Sequence, residues 1–291
     1  MDRLPAFPPV ERFILRNEAA DQIFQIQVQP PLNPPRAGGR CPVVYASDAN
    51  SSFDVLRGLA WQLQYSGHDA APFILVGIGY PSEMPLAGAI LRGRDLTFAG
   101  YPKIVVTPRF DGTLAPADGA PRQGGAEEFL RFLHHMLAPR IERAYPASDR
   151  RIYFGHSAGA GFGLYSLFEA PDLFDGYILS SPGLAFHGET SAGACYEDYE
   201  FLLDRARVFL ADAPLAAPKR LYLSAGSAEE DDPNLRPWRL TSQVQRLAAL
   251  FEEAGRPDLE VFTEILPGET HGTVWAVAFI HAIKHLLGPR P

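Results

Sequence analysis

No stretch of this chain comes near the roughly 18 consecutive apolar residues that a membrane-crossing helix needs, so no membrane association is expected. The opening residues, MDRLPAFPP, lack a basic segment followed by an apolar one, and without that signature of a secretory leader the expected setting is cytoplasmic. Positive charge is also short: 26 Lys and Arg face 34 Asp and Glu, a net charge of −8. A nucleic-acid partner, which requires basic patches to neutralise phosphate, is therefore not expected. Cysteine is scarce too. Cys41 and Cys195 stand far apart without metal-ligand spacing, so two buried free thiols are expected, a single disulfide being the alternative. Repeats and low-complexity tracts are missing.

What remains is an ordinary globular composition, 46% hydrophobic and 21% charged over 291 residues. That length suits one open α/β sheet, and residues 1–291 are read as a single domain. Residues 10–16 and 22–29 alternate apolar and polar and predict an N-terminal antiparallel hairpin. Short apolar runs at 42–47 and 72–78 read as strands buried on both faces, with a helix at 53–66 between them. Residues 103–107 are a further strand candidate. A helix over 125–144 carries a kink at Pro139. Strands at 176–180, 220–225 and 259–265 alternate with helices at about 240–251 and 272–287. The pattern predicts a mostly parallel central sheet with helices on both faces. Residues 79–102 and 108–124 read as irregular loops, and 182–218 as an insertion that walls or caps a pocket.

The most informative segment is Arg151 to Gly159, RIYFGHSAG, a strand-like run ending in Gly-x-Ser-x-Gly before a helix at 160–170. This is the pattern of a nucleophile elbow, with Ser157 on a sharp strand-to-helix turn between small residues. A serine hydroxyl needs a base, and the base an orienting acid. In α/β-hydrolases these follow in the order Ser, acid, His. The run 220–225 ends in GSAEEDD, from which Glu229 is chosen, then Glu230; the run 259–265 leads to His271. The backbone amides of Asn50 and Ala158 are the oxyanion candidates, and Asp48 is as well explained as a turn or cap residue. His156 is expected to pack near the site, and His134 and His135 to lie at the surface. His281 and His285, four apart on the last helix, have no evident third ligand, so no metal is expected. Arg92 and Arg94 in LRGRDL are candidates for binding an anionic part of a substrate, the alternative being that Arg94 pairs with Asp95 and braces its loop.

These segments resemble the esterase D family of α/β-hydrolases, in particular its enterobactin, salmochelin and bacillibactin esterase branch. The resemblance is carried by CPVVYASDAN (41–50), VGIGYP (76–81), RDLT (94–97), GHSAG (155–159), PDLF (171–174), SSP (180–182) and PGETHG (267–272). It implies the α/β-hydrolase fold, no cofactor, Ser157 as nucleophile, His271 as base, Glu229 as acid, and an oxyanion hole from Asn50 and Ala158. It also leaves room for a Ser–His dyad. Two departures stand out. Ala49 replaces a glycine beside the oxyanion loop, and Ser181 to His187 replaces a segment that carries a tryptophan pair in the branch. The expected activity is hydrolysis of a small-molecule ester, of siderophore type or of aryl or carbohydrate type, through an acyl-enzyme. The alternatives are an acyltransferase using the same intermediate and a silent binding protein of this fold.

Overall fold

A computed structural model describes residues 9–31, 38–66, 69–81, 87–102, 123–189 and 195–289. The hairpin forms from β1 (Glu11–Asn17) and β2 (Gln22–Gln29), turning at Asp21 in the left-handed region, φ 49°. β2 runs antiparallel to β4 (Ile74–Gly79), and from there every neighbour is parallel. The order is β1-β2-β4-β3-β5-β6-β9-β10, with β3 Cys41–Ala46, β5 Ala147–His156, β6 Gly176–Ser180, β9 Lys219–Gly226 and β10 Leu259–Leu266. All residues of β4 and β6 are buried, as expected of strands covered on both faces.

Adjacent side chains on each strand feed two cores. Tyr153 points into the larger core with α3 (Ala126–Phe132), α4 (Ala138–Ala144), α5 (Ala158–Glu169), α6 (Phe201–Ala211) and α7 (Leu240–Ala254). Phe154, one residue on, points the other way, into the core covered by α1 (Ala49–Trp61) and α8 (Val274–Leu287). This period of two along the strand is what places helices on both faces. The result is the α/β-hydrolase fold, with all parallel strands delivering their carboxyl ends to one edge.

Two expectations need correction. Residues 79–102 are not wholly irregular, because Ala87–Asp95 form α2, whose weak, glycine-containing pattern hid it. Within the insertion at 182–218, β7 (Phe186–Glu189) and β8 (Cys195–Tyr199) pair antiparallel and lead into α6. Cys195 is exposed, whereas Cys41 is buried, and both are free. The interruption foreseen at Pro139 takes the form of a π turn over Leu133–Leu137, which ends just before the proline in the first turn of α4. The candidate strand 103–107 and nearly all of the loop 108–124 lie outside the described residues.

Candidate active site

β5 delivers Ser157 at φ 56°, ψ −120°, a conformation that L-residues avoid and that costs on the order of 1–3 kcal/mol. Two backbone hydrogen bonds hold it there: Ser157 N–H donates to Ser180 O at 2.9 Å, and Gly161 N–H donates to Ser157 O at 3.0 Å. The flanking glycines are required by close approach. A Cβ on Gly155 would lie 2.3 Å from Gly159 O, and one on Gly159 would lie 2.5 Å from Ser47 Oγ.

The carboxyl end of β9 brings in the acid. Glu229 sits on a short 3-10 turn, only 1% exposed, with Oε1 2.8 Å from His271 Nδ1. The two loops are laced together by Ser227 N–H to Leu266 O (2.9 Å), Ala228 N–H to Glu269 O (3.1 Å) and Gly268 N–H to Ser227 Oγ (2.8 Å). Glu230 is drawn elsewhere, accepting from Ser242 N–H at 2.6 Å and Ser242 Oγ at 3.0 Å at the start of α7. Choosing Glu229 over its neighbour therefore has a geometric basis. With its Nδ1–H donated to Glu229, His271 keeps the Nε2 lone pair free to accept a proton.

His271 also lies against His156, the residue before Ser157, with ring centroids 4.3 Å apart. His156 Nδ1 is 3.2 Å from Ser180 O. Burial first, then His271 and Arg92, push the His156 imidazole well below its ordinary range, so it stays neutral.

The oxyanion candidates sit on two helix starts. Asn50 lies in the first turn of α1 and Ala158 opens α5, where amide N–H groups have no intrahelical acceptor. The Asn50 side chain is stapled to Tyr80, accepting from its N–H at 2.7 Å and donating to its O at 2.8 Å, which fixes the helix start against the end of β4.

The two arginines part company. Arg92 reaches Asp48 with Nε and Nη2 at 2.7 and 3.0 Å and lines a cavity of about 450 Å3 with Asp48, Asn50, Tyr80, His156 and Trp275. Arg94 does not join it. Its Nε and Nη2 hold Asp95 at 2.7 and 2.9 Å and its Nη1 reaches Asp21 O at 3.4 Å, so the pair does not form one anion-binding fork. Asp95 is fully buried and needs that countercharge, which is why Arg94 turns away from the cavity.

Some neighbours were invisible to sequence reasoning. Trp275 donates its Nε1–H to Gly272 O at 2.9 Å and walls the cavity beside the His271 loop. Trp238 packs edge-on against Phe186, centroids 4.9 Å apart, and lies 6.3 Å from Tyr101, so aromatic rings flank the segment that lacks the tryptophan pair. Among the described residues no cluster of three or more His, Cys, Asp or Glu is placed to hold a metal ion. His281 faces Glu264 at 2.9 Å, while His285 faces Glu260 at 3.7 Å.

Fold and elbow together define an α/β-hydrolase. Comparison with known proteins names the family: residues 104–286 match the model described as "Putative esterase", and the chain belongs to that esterase family. It is 30% identical over 291 residues to the ferri-bacillibactin esterase BesA of Bacillus subtilis (strain 168), covering 97% of this chain and 91% of that one. It is 29% identical over 246 residues to the siderophore enterobactin esterase of Emericella nidulans, covering 77% and 74%. Among solved structures, the siderophore hydrolase EstB from Aspergillus nidulans superposes with a TM-score of 0.74 at 25% identity, covering 99% and 98%. The protein is an esterase.

Proposed function

We propose that Ser157, His271 and Glu229 form a catalytic triad that hydrolyses a siderophore-type ester. The observation that carries this reading is the 2.8 Å contact between Glu229 Oε1 and His271 Nδ1 beside the strained Ser157. Ser157 Oγ attacks the ester carbonyl as His271 Nε2 takes its proton. The oxyanion is held by the N–H groups of Asn50 and Ala158. Collapse expels the alcohol, which receives the proton from His271, and leaves an acyl group on Ser157. Water, deprotonated by His271, then releases the acid and restores the serine. No cofactor enters these steps.

The substrate class rests on the relatives, which are named for siderophore esters, and on the roomy cavity beside His156. The whole chain works as one domain around a sheet that draws strands from residues 11 to 266, with the β7–β8 hairpin and α6 inserted between β6 and β9. A cytoplasmic setting is supported by the exposed free thiol of Cys195, which a reducing compartment preserves. Hydrolysis of p-nitrophenyl and siderophore esters, with and without added alcohol, tests the reading. Release of free acid with no transfer to the alcohol, and a fluorophosphonate label on Ser157, are expected. Transfer outpacing hydrolysis would make the protein an acyltransferase, and no turnover with no label would make it a binding protein.

A further inference from the structure

One carbonyl serves two residues at the elbow. Ser180 O accepts the Ser157 backbone N–H at 2.9 Å and also lies 3.2 Å from His156 Nδ1. The His156 ring is thereby tied to the atom that fixes the nucleophile's backbone. From there it meets the His271 ring at 4.3 Å between centroids, with planes tilted by 44°.

That contact answers a geometric need. Glu229 holds His271 by a single atom, Nδ1, at 2.8 Å. One hydrogen bond at the edge of an imidazole fixes the tautomer but leaves the ring free to swing about the bond, because rotation about the ring's own torsion is soft. Swinging moves Nε2, the atom that must accept the serine proton. A second contact, on the face of the ring, removes that freedom. Burial on the Glu229 side cannot supply it, since the His271 side chain is still 23% exposed.

We propose that His156 is a positioning residue of the esterase reaction, a ring anchored on Ser180 O that stops His271 from swinging out of reach of Ser157. The inference rests on the triad reading above. The charged and titratable groups facing His156 are His271, on the loop after β10, and Arg92, on α2. With burial they keep the His156 ring neutral, while the backbone carbonyls of Ser180 and His271 pull weakly the other way. Neutrality suits the task. An imidazolium forms on His271 during attack, and a second positive ring in contact with it would oppose that step.

The test compares His156→Ala with His156→Phe on one aryl ester. Phenylalanine keeps a ring face toward His271, and Ser180 O retains its Ser157 donor. His156→Ala is expected to lower kcat by about 10-fold or more with KM changed less than about 2-fold, since misplacing a reacting group by an ångström is costly. His156→Phe is expected to recover to within about 3-fold of wild type. The wild-type and His156→Phe pH–rate profiles should superimpose from neutral pH upward, where the lowered His156 pKa leaves the ring uncharged. Undiminished kcat in His156→Ala overturns the inference. So do equal losses in both variants that follow a lowered Tm, or a limb of the profile in that pH range present in wild type and missing in His156→Phe. Fluorophosphonate labelling of Ser157 is run beside these with His271→Ala. Full labelling in His271→Ala sinks the triad reading itself, whereas lost labelling there with normal labelling in His156→Ala sinks only the role of His156.

Discussion

Arg92 grips Asp48 with both arms of its guanidinium, Nε on Oδ1 at 2.7 Å and Nη2 on Oδ2 at 3.0 Å. Asp48 stands in the left-handed conformation, φ 58°, ψ 31°, immediately before the helix whose first turn offers the Asn50 amide. The arginine thus clamps the turn that leads into Asn50, the oxyanion candidate, in addition to lining the cavity, and its charge is balanced by Asp48.

This changes the expected outcome of Arg92→Ala. Hydrolysis should fall by about 10-fold or more on neutral and anionic esters alike, because a forked charged pair worth roughly 1.5–3 kcal/mol is lost from the loop that aims the oxyanion donor. Arg92→Lys should recover little, since a single ammonium does not reproduce the fork. Comparing kcat/KM for two esters of similar size and different charge checks it. A loss confined to the anionic ester would show that Arg92 reads the substrate. Arg94→Ala should act on stability instead, stranding the buried Asp95 without its countercharge, and its readout is Tm.

Glu229→Gln should be less damaging than His271→Ala, because it removes orientation and charge but leaves the base in place. Glu229 Oε2 is buried with no hydrogen-bond partner among the described residues, so the carboxylate is matched through His271 alone. Glutamine in that site can present its amide N–H to Nδ1 and hold the wrong tautomer, and a fall in kcat of about 10²-fold or more is expected. Glu230→Gln should leave kcat near wild type, as it loses only contacts to Ser242. The reverse order in a kcat comparison would move the acid by one position. Little loss in either would describe a Ser–His dyad.

The sheet was legible because its strands are apolar runs buried on both faces, and the elbow because a Cβ has no room at Gly155, against the Gly159 carbonyl, or at Gly159, against the Ser47 side chain. Chain order and strand-end placement singled out His271 and Glu229, which the fold sets 2.8 Å apart. Long-range polar pairing was not legible. Arg92 and Asp48 are 44 residues apart, and nothing local distinguishes that partner from Asp95, which takes Arg94 instead. Exposure of Cys195 likewise depends on the β7–β8 hairpin, a tertiary feature without a strong alternating signal. The contact of His156 with His271 joins the end of β5 to the loop after β10, strands that β6 and β9 separate in the sheet.

Ser157 holds its conformation at a cost, and that cost is measurable. At φ 56°, ψ −120° glycine is unstrained, whereas alanine keeps the penalty. Ser157→Gly and Ser157→Ala should both abolish hydrolysis, at least about 10³-fold, for want of a nucleophile. Strain relief of about 1–3 kcal/mol outweighs glycine's extra unfolded-state entropy of roughly 0.4–1 kcal/mol, so Ser157→Gly should melt higher than Ser157→Ala. Thermal melts of the two inactive proteins decide it. A lower Tm for the glycine variant would mean that the elbow stores no strain.

Asp258 supplies a pH-dependent test away from the site. It lies just before β10, takes Arg256 Nε at 2.9 Å on Oδ1, and accepts from Arg256 Nη2 and from Leu215 N–H at 2.6 Å on Oδ2. Arg256 in turn donates through Nη1 to Phe209 O at 3.1 Å and Asp212 O at 3.2 Å, tying the end of α6 to the turn before β10. The Arg256 guanidinium, helped by the backbone N–H groups, holds the Asp258 carboxyl far below the usual carboxylate range. A carboxyl whose pKa is depressed on folding adds stability that is present above its unfolded pKa, about 3.9, and is lost as pH falls through its lower folded value. Asp258→Asn should therefore cost about 2 kcal/mol at pH 7, the scale of a charged hydrogen bond. The gap to wild type should narrow steadily below about pH 4, where the wild-type carboxylate also begins to lose its advantage. Urea melts of both proteins at pH 7, 4 and 3 measure it. A gap that stays constant across those values would show that Asp258 works by shape and not by charge.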